Sequence, residues 1–391
     1  MHQEAAKYEK RLYREGMAEP GTVLFGISGK NGSWDRDHPA CESLNPLLTR
    51  AEQRAAILYA SPAEPYATAI YHLSETAPDG VIRPEDSETR MFLQDLPVTE
   101  KLDPESAARL LKHRKCAIVP HQGIIARGGD PAEAYVNFSA ACFAGFVNFF
   151  SDTLQAARTG ELGERRAEAF SRACRQIPQP AVFETGLMAG PFETETSVKN
   201  AIAEAGKEII KRGLVNACFG NISYRMGDNL YISPSGSFLD ELEDDLLVAN
   251  IKDGSCAGGK PSSELPTHLE IAGSTEFRAV LHGHPLFSVI MSMDCREENC
   301  THKGTCHLGC PVPREISAIP IVAGETGGGP FGLNRTVPAA IKKTKAAIVY
   351  GHGIFTCASN DFNNALGRMI TIERICRRIY FERIGTRPEI L

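Results

Sequence analysis

Apolar and polar positions alternate along this chain with two different periods, and the change of period predicts its secondary structure. Stretches with apolar residues three or four positions apart are expected to be helices: residues 1–20, 51–59, 131–153 and 198–210. Short continuous apolar runs are expected to be strands: residues 22–27, 66–71, 277–281 and 346–349. Helices and strands therefore interleave along the chain, which predicts an α/β fold.

Composition narrows the class of protein. At 391 residues the chain exceeds the usual size of one domain, so we expect two domains. A hydrophobic fraction of 42% and a charged fraction of 23% are typical of a soluble globular protein. A net charge of −6 does not favour a nucleic-acid partner, and no apolar run approaches the length of a membrane span. The N-terminal residues contain no apolar signal core, so twelve cysteines predict a reducing, cytoplasmic location.

The two halves of the chain contain matching segments, which indicates an internal repeat. Residues 111–119 match residues 341–349, and residues 69–72 match residues 279–282. In the second half these segments are further apart by 20 residues, which is the length of a Cys-rich segment at 295–314. We therefore predict a tandem duplication in which the second copy has gained this insertion.

Three histidines of the second half follow predicted strands. His282 and His284 come after the apolar run 277–281, and residues two apart on a strand point to the same side. His352 lies between two glycines after the last predicted strand. With Glu264 they form a set of three nitrogens and one oxygen that suits a divalent ion such as zinc. The alternative for Glu264 is a carboxylate that only stabilises a helix N-terminus.

The repeat predicts three regions with different roles: a first domain at residues 1–175, a Pro- and Gly-containing linker at 176–190, and a second domain at 191–391. In the first domain His72 aligns with the first histidine, but serine and glutamine stand where the other two would be. One ligand does not make a zinc site, so the first domain is predicted to be degenerate and non-catalytic.

The inserted segment offers a second candidate metal site of a different kind. Four thiols and two histidines fall within 16 residues, and the thiols are those of Cys295, Cys300, Cys306 and Cys310. Four soft ligands in a short polar loop fit a closed, structural zinc. An iron–sulfur cluster is an alternative with a less typical spacing, and a loop with chance thiols is another.

Five motifs occur in a characteristic order, and they are Phe219–Ser223, Ile232–Gly236, Pro261–Glu264, His282–His284 and Gly351–Gly353. Their order and spacing resemble those of the class II aldolase/adducin family, over roughly residues 195–385. The resemblance implies α/β/α layers with a central, mostly antiparallel sheet, here in two tandem copies. It also implies a zinc-dependent lyase, an aldolase that acts on a small phosphorylated sugar or a keto or aldehyde substrate through a metal-stabilised enediolate.

The same resemblance assigns roles to residues. His282, His284 and His352 are the implied zinc ligands, and Glu264 is the implied acid/base that moves a proton at carbon. A phosphate of the substrate is implied to bind three turns, through Gly220, Asn221, Ser235, Gly236, Ser262 and Ser263. Gly, Asn and Ser also populate ordinary turns, which is the alternative for these residues.

The chain departs from the family pattern at one position. Between His284 and Tyr350 there is no tyrosine, whereas the related aldolases carry a tyrosine there as a proton donor, and Ile321 falls near its place. Retro-aldol cleavage is therefore the first expectation. Epimerisation, dehydration or decarboxylation on the same metal centre is the alternative, as is a non-catalytic, adducin-like interaction protein.

The expected assembly is a homo-oligomer. The resembling enzymes are tetramers around a fourfold axis, and a chain with two copies of the unit fills such a ring with half as many subunits. We therefore expect a homodimer with pseudo-fourfold symmetry.

Overall fold

The computed structural model describes residues 2–29, 32–49, 55–178, 186–243, 245–297, 299–310, 312–324 and 329–385. The chain divides into a first unit, Met1–Gln179, and a second unit, Pro180–Pro388. The division falls inside the stretch predicted as a linker, of which residues 179–185 lie outside the described residues.

The first unit alternates helices and strands. Its helices are α1 (His2–Arg14), α2 (Ala40–Thr49), α3 (Tyr66–Thr76), α4 (Ser87–Leu93), α5 (Pro104–Leu111), α6 (Pro131–Thr159) and α7 (Glu164–Cys174), with a 3-10 turn at Pro78–Gly80. Its strands are β1 (Leu24–Ile27), β2 (Ser33–Trp34), β3 (Ala56–Ala60), β4 (Val81–Ile82), β5 (Leu96–Pro97), β6 (Cys116–Val119) and β7 (Gly123–Gly128). An antiparallel sheet has the order β2-β1-β3-β7-β6, and β4 pairs with β5 separately.

Helix α6 forms the core of the first unit. Asp130 caps its N-terminus by accepting a hydrogen bond from the backbone N–H of Glu133 at 2.8 Å, and Gly160 ends it with a φ of 73°. It packs against α3 and β7. Among the described helices it alone is long and apolar enough to cross a membrane, but 94% of its most apolar window is buried inside the protein. That burial is the pattern of a core helix.

The second unit is built on a longer sheet. Its helices are α8 (Glu195–Lys211), α9 (Leu265–Ser274), α10 (Leu286–Met293), α11 (Leu333–Thr344) and α12 (Phe362–Ile384), with a 3-10 turn at Leu239–Glu241. Its strands are β8 (Asn221–Met226), β9 (Asn229–Ile232), β10 (Leu247–Asn250), β11 (Cys256–Ala257), β12 (Ala279–Gly283), β13 (Arg314–Ile316), β14 (Ile319–Val322), β15 (Ala346–Val349) and β16 (Gly353–Ala358). The order is β11-β10-β9-β8-β12-β16-β15-β14-β13, and only the β14–β15 pair is parallel.

Helices cover both faces of this second sheet. On one face α9 and α11 pack together, and Ile271, Val337 and Phe355 belong to one buried cluster. On the other face α12 packs against β12 and β16, where Gly283 meets Met369. The predicted fold class, α/β/α layers around a mostly antiparallel sheet, is therefore confirmed.

Two predictions for the first unit are wrong. Residues 56–60 form strand β3, not the end of a helix over 51–59, and all five are buried; residues 51–54 lie outside the described residues. Residues 66–71 lie in helix α3, not in a strand, and the Glu64 carboxylate stabilises its start by accepting from Thr68 N at 3.2 Å and from Thr68 Oγ1 at 2.7 Å. Both stretches are short apolar runs, for which periodicity does not distinguish a strand from a helix.

The alignment of the predicted repeat changes as a result. His72 lies on α3, so its predicted match with His282 is wrong. Strand β3 lies between β1 and β7, as β12 lies between β8 and β16. Tyr59 of β3 pairs with Leu24 and Ile125, and His282 holds the equivalent place in β12. In the same register, Ser61 and Gln122 stand where His284 and His352 stand.

Candidate metal centre

Three buried imidazoles meet at one end of the second sheet. His282 is on β12, His284 follows it by two residues, and His352 is in the turn between β15 and β16. Their ring centroids are 4.7 to 5.1 Å apart. Within the part of the chain that the structure describes, this is the one group of three or more metal-ligating side chains whose ligand atoms all lie within 4.8 Å of one another.

Glycines allow the two ligand-bearing segments to approach. A Cβ added to Gly353 would collide with the carbonyl oxygen of Gly283 and would lie 2.6 Å from Cδ2 of His284. A Cβ on Gly283 would lie 2.5 Å from the carbonyl oxygen of Leu214, and that carbonyl accepts a hydrogen bond from His284 N at 2.8 Å. The close backbone approach therefore holds the second histidine in place.

The hydrogen bonds of His282 determine which of its nitrogens can bind a metal. Its Nδ1 lies 3.0 Å from the carbonyl oxygen of Ile354. A carbonyl only accepts, so Nδ1 carries the proton and the lone pair of Nε2 is available. Burial lowers the pKa of His282 to about 4 and that of His284 well below its ordinary value. Both rings are therefore neutral at neutral pH, as metal ligands must be.

Glu264 lies beside the histidines. Its Oε1 is 3.2 Å from Nε2 of His352, and its Oε2 is 3.4 Å from Nε2 of His282. It precedes α9, but its side chain makes no capping bond, so it is more than a helix-end carboxylate. Burial alone raises its pKa, but the imidazoles of His282 and His352 and the amide of Asn221 lower that pKa more strongly. The net pKa is below the ordinary value, and the carboxylate is ionised.

Two residues of this site, His268 and Ser223, were not predicted from the sequence. Asn221 Nδ2 donates to Glu264 Oε2 at 2.7 Å, and Asn221 Oδ1 lies 2.5 Å from Nε2 of His268. The other ring nitrogen of His268, Nδ1, lies 2.6 Å from Ser223 Oγ. Spacing offered a signal for both. His268 follows Glu264, the residue that precedes α9, by four positions, and Ser223 follows Asn221 by two on one strand.

The turns predicted to bind phosphate lie close to Glu264. Pro234 and Pro261 form an isolated bridge, which brings the turn containing Ser235 and Gly236 beside the turn containing Ser262 and Ser263. Ser262 is buried, and its Oγ accepts a hydrogen bond from Glu264 N at 3.3 Å. Ser235, Gly236 and Ser263 are exposed.

The remaining residues of that prediction lie at the start of β8. Gly220 is buried, and a Cβ there would lie 2.6 Å from Val215 and 2.9 Å from the carbonyl oxygen of His282. The glycine therefore allows β8 to approach the ligand-bearing strand. Asn221 is also buried, and both ends of its side-chain amide are already hydrogen-bonded within the protein.

The structure does not bring the four thiols of the inserted segment together. Cys295, Cys300, Cys306 and Cys310 do not form a group of ligand atoms like that of the histidines, among the side chains that are described. Their contacts are local: Cys300 Sγ accepts from His302 N at 3.4 Å, and Cys306 Sγ lies 3.5 Å from the His302 carbonyl oxygen. The second zinc site on these four thiols stays a prediction.

Comparison with known proteins bears on the second unit. Residues 200–380 match the family model of the Class II Aldolase and Adducin N-terminal domain. The chain is 40% identical over 164 residues to an L-fuculose phosphate aldolase of Methanococcus maripaludis, covering 41% of this chain and 83% of that protein. It is 26% identical over 204 residues to a 5-methylthioribulose-1-phosphate/5-deoxyribulose-1-phosphate aldolase of Rhodospirillum rubrum, covering 50% of this chain and 86% of that protein.

A solved structure is also similar: an L-fuculose-1-phosphate aldolase from Thermus thermophilus is 25% identical, covers 48% of this chain and 95% of that one, and has a TM-score of 0.37. The second unit is an α/β/α domain in which three histidines that could ligate a metal lie at the ends of central strands. This chain belongs to the class II aldolase and adducin family. The matched residues, 200–380, include the three histidines and Glu264.

Proposed function

We propose that this protein is a zinc-dependent lyase that cleaves a small phosphorylated sugar by a retro-aldol reaction. The observation that carries this proposal is the position of Glu264 between His352 and His282, at 3.2 Å and 3.4 Å from their Nε2 atoms. A carboxylate shielded from water beside a metal centre is suited to moving a proton at carbon. The relatives named as aldolases have phosphorylated sugars in their names, which supports this substrate class.

The donor set fits zinc. The three side chains are imidazoles, which zinc binds readily, and three protein ligands leave a position for a substrate oxygen, as in other catalytic zinc sites. When bound to His282, His284 and His352, zinc would polarise a substrate carbonyl and stabilise the negative charge that develops on its oxygen. Phe355 stacks on His282 with ring centroids 4.1 Å apart and keeps the first ligand ring in place.

Glu264 acts as the acid/base at carbon. In the cleavage direction it delivers a proton to the substrate carbon that loses its partner, and in the condensation direction it removes that proton. Its side chain is 8% exposed, so little water competes for the proton. Because its pKa lies below the ordinary value, it starts the condensation direction in the basic form.

A phosphate site near Glu264 completes the proposal. The adjacent turns carry three exposed residues, Ser235, Gly236 and Ser263, and the two serine hydroxyls can donate hydrogen bonds to an anion. Ser262 links this site to the acid/base, because its hydroxyl accepts from the backbone of Glu264. Asn221 contributes by holding Glu264 through a hydrogen bond from its Nδ2 at 2.7 Å.

The first unit is, in this proposal, a non-catalytic duplicate of the second. The strand pairings around β3 and β7 have the same register as those around β12 and β16, which supports the duplication. Tyr59 and Ser61 take two of the ligand positions, and their hydroxyls donate to the Gln122 carbonyl oxygen at 3.2 Å and 2.6 Å. Hydrogen bonds thus replace imidazoles in this unit.

Dehydration, epimerisation or decarboxylation on the same centre is the second candidate. The observation that favours it is the absence of a tyrosine between His284 and Tyr350, where the resemblance leads us to expect a proton donor. Ile321 instead pairs with Ile348 in the β14–β15 ladder. An adducin-like, non-catalytic role is less well supported, because the whole histidine set is retained.

A substrate screen tests the proposal. Protein reconstituted with Zn²⁺ is incubated with phosphorylated ketoses, beginning with L-fuculose 1-phosphate and 5-methylthioribulose 1-phosphate. We expect release of dihydroxyacetone phosphate and an aldehyde from at least one of them, and loss of turnover with retained zinc in Glu264→Gln. Loss of water or carbon dioxide without an aldehyde would favour the second candidate. Unchanged turnover in Glu264→Gln would remove Glu264 from the mechanism.

A further inference from the structure

The side chain of Asn221 has two chemically different ends, and the structure determines which end faces which partner. An ionised carboxylate only accepts hydrogen bonds, so the atom 2.7 Å from Glu264 Oε2 must be the donor Nδ2. The amide oxygen Oδ1 then faces Nε2 of His268 at 2.5 Å. The charge of Glu264 therefore sets the orientation of the amide.

The orientation of the amide sets the protonation of His268. Oδ1 accepts, so Nε2 of His268 carries a proton and donates it. Burial lowers the pKa of His268 to about 4, so the ring is neutral and its Nδ1 has no proton. Nδ1 is then an acceptor, and the Ser223 hydroxyl donates to it at 2.6 Å. Each donor points toward Glu264, in the order Ser223, His268, Asn221.

We propose that Ser223, His268 and Asn221, here called the Glu264 network, are positioning residues that select the proton-carrying oxygen of Glu264. The network stabilises negative charge on Oε2 through the hydrogen bond from Asn221. Oε1 faces Nε2 of His352 at 3.2 Å, an atom assigned to the metal, so Oε1 is the more basic oxygen once that nitrogen is a ligand. In the condensation direction Oε1 forms a bond to the proton of the substrate carbon, and the C–H electron pair stays with the substrate. In the cleavage direction Oε1 returns that proton. This inference rests on the acid/base role proposed for Glu264.

The network is rigid enough for this role. Ser223 and His268 are 0% exposed, and Asn221 is 4% exposed. Phe355 meets the His268 ring edge-on at a centroid distance of 5.8 Å, and the same phenyl ring stacks on His282. The orientation of Glu264 and that of the first metal ligand thus depend on one packed cluster, as expected for groups that support a metal site.

The tautomer of His268 tests the network directly, without turnover. In protein labelled with ¹⁵N-histidine, long-range ¹H–¹⁵N correlation spectra distinguish a ring protonated at Nε2 from one protonated at Nδ1. His268→Gln identifies the resonance by its disappearance. We expect the neutral Nε2–H form at pH 7 in the wild type and a mixed population in Ser223→Ala. A ring protonated at Nδ1, or at both nitrogens, would overturn the proposal.

Kinetics test whether the network acts on Glu264 or only on stability. With the phosphorylated ketose that the wild type turns over, His268→Ala should lower kcat by about 10- to 100-fold, as for other groups that orient a metal site. Its KM and its zinc content should stay within about twofold, because the phosphate turns and the three histidines are untouched. His268→Gln should restore most of kcat, since an amide N–H can replace Nε2–H toward Asn221.

A matched control is Thr356→Val. Thr356 is fully buried on strand β16, which lies next to β12 in the sheet. Its hydroxyl has no hydrogen-bond partner among the described residues. Thr356→Val should keep the wild-type kcat. A lower kcat in Ser223→Ala together with an unchanged kcat in Thr356→Val would support the network. Equal kcat in His268→Ala and wild type, with a lower melting temperature only, would show a purely structural role and overturn it.

The outcomes separate this inference from the proposed function. If Glu264→Gln loses turnover while His268→Ala and Ser223→Ala keep it, the network is refuted and the function stands. If Glu264→Gln keeps turnover, the proposed function fails. The network then also loses its role in positioning the acid/base, even if His268 is found in the expected Nε2–H tautomer.

Discussion

Tyr59 of the first unit and His282 of the second occupy equivalent positions in the strand pairing of their sheets. Tyr59 pairs with Leu24 and Ile125, and the β12 histidine pairs with the corresponding residues of β8 and β16. The Tyr59 hydroxyl donates to the backbone carbonyl of Gln122 at 3.2 Å. The phenol at the position equivalent to His282 is therefore hydrogen-bonded to the backbone of the residue equivalent to His352.

A single metal site per chain is the first prediction. Wild-type protein dialysed against Zn²⁺ should hold about one zinc per chain, and His282→Ala with His352→Ala should hold almost none, because one histidine does not retain zinc. Metal content is measured by elemental analysis alongside protein concentration.

Tyr59→Phe is the control for this measurement, since it alters the equivalent position of the first unit and should keep one zinc. Full occupancy in the double histidine variant would place the metal elsewhere. The count also tests the Cys-rich segment, because a second zinc that survives in the double variant but is lost with Cys306→Ser would locate it there.

Gly353→Ala is the second prediction. The added Cβ would meet the Gly283 carbonyl and His284 Cδ2 at 2.6 Å, so β12 and β16 must separate between the ligands. We expect at least a tenfold loss of zinc affinity, measured by competition with a chromophoric chelator, because misplaced ligands weaken a metal site. Gly163→Ala is the control: nothing lies within 4 Å of that position and its φ is −66°. Wild-type affinity in Gly353→Ala would show that the close approach is unimportant.

The second unit was more predictable from sequence than the first for a physical reason. His282, Glu264 and His352 occur in short motifs whose residue types and spacing alone suggest metal ligands and an acid/base. The structure brings these three residues together. In β3, by contrast, all five residues of Ala56–Ala60 are buried. The sequence of this strand therefore lacks the alternation of apolar and polar residues that would identify it as a strand. The adjacent helix α3 was also misassigned, and the alignment of the repeat moved with it.

The network behind Glu264 shows what sequence alone leaves open. His268 could have been a histidine of the helix surface, and only the packing of α9 on the sheet turns it toward Asn221 and Ser223. The Asn221 motif predicted a phosphate contact, and the structure adds hydrogen bonds between its amide and both Glu264 and His268, which the sequence did not predict. A residue type and its spacing indicate that a group is available, but its partner depends on tertiary contacts.

The assembly gives the third prediction. The resemblance implies four-membered rings, and we propose that this chain carries two copies of the unit, so we expect two chains per particle. Light scattering on a chromatographic peak should therefore give about twice the chain mass of 42.5 kDa. A monomer, or a tetramer of whole chains, would contradict the two-chain ring. Repeating the measurement over a tenfold range of concentration controls for reversible association.

The last prediction concerns pH and His268. Its pKa is about 4 in the folded protein against an ordinary value of 6.5, so the unfolded chain binds the proton more readily between these values. The stability associated with the neutral ring is present above pH 6.5 and is lost as the pH falls toward 4. For one such group the loss between pH 7 and pH 5 is about 2 kcal/mol in the free energy of unfolding.

Urea unfolding of metal-free protein at pH 7 and pH 5 measures this loss. His268→Gln cannot take up the proton, so its free energy of unfolding should fall by about 2 kcal/mol less than that of the wild type over the same interval. His302→Gln alters an exposed histidine and should follow the wild type. An identical pH dependence in His268→Gln and wild type would mean that His268 is not kept neutral by burial, and the hydrogen-bond directions inferred for the Glu264 network would then lose their basis.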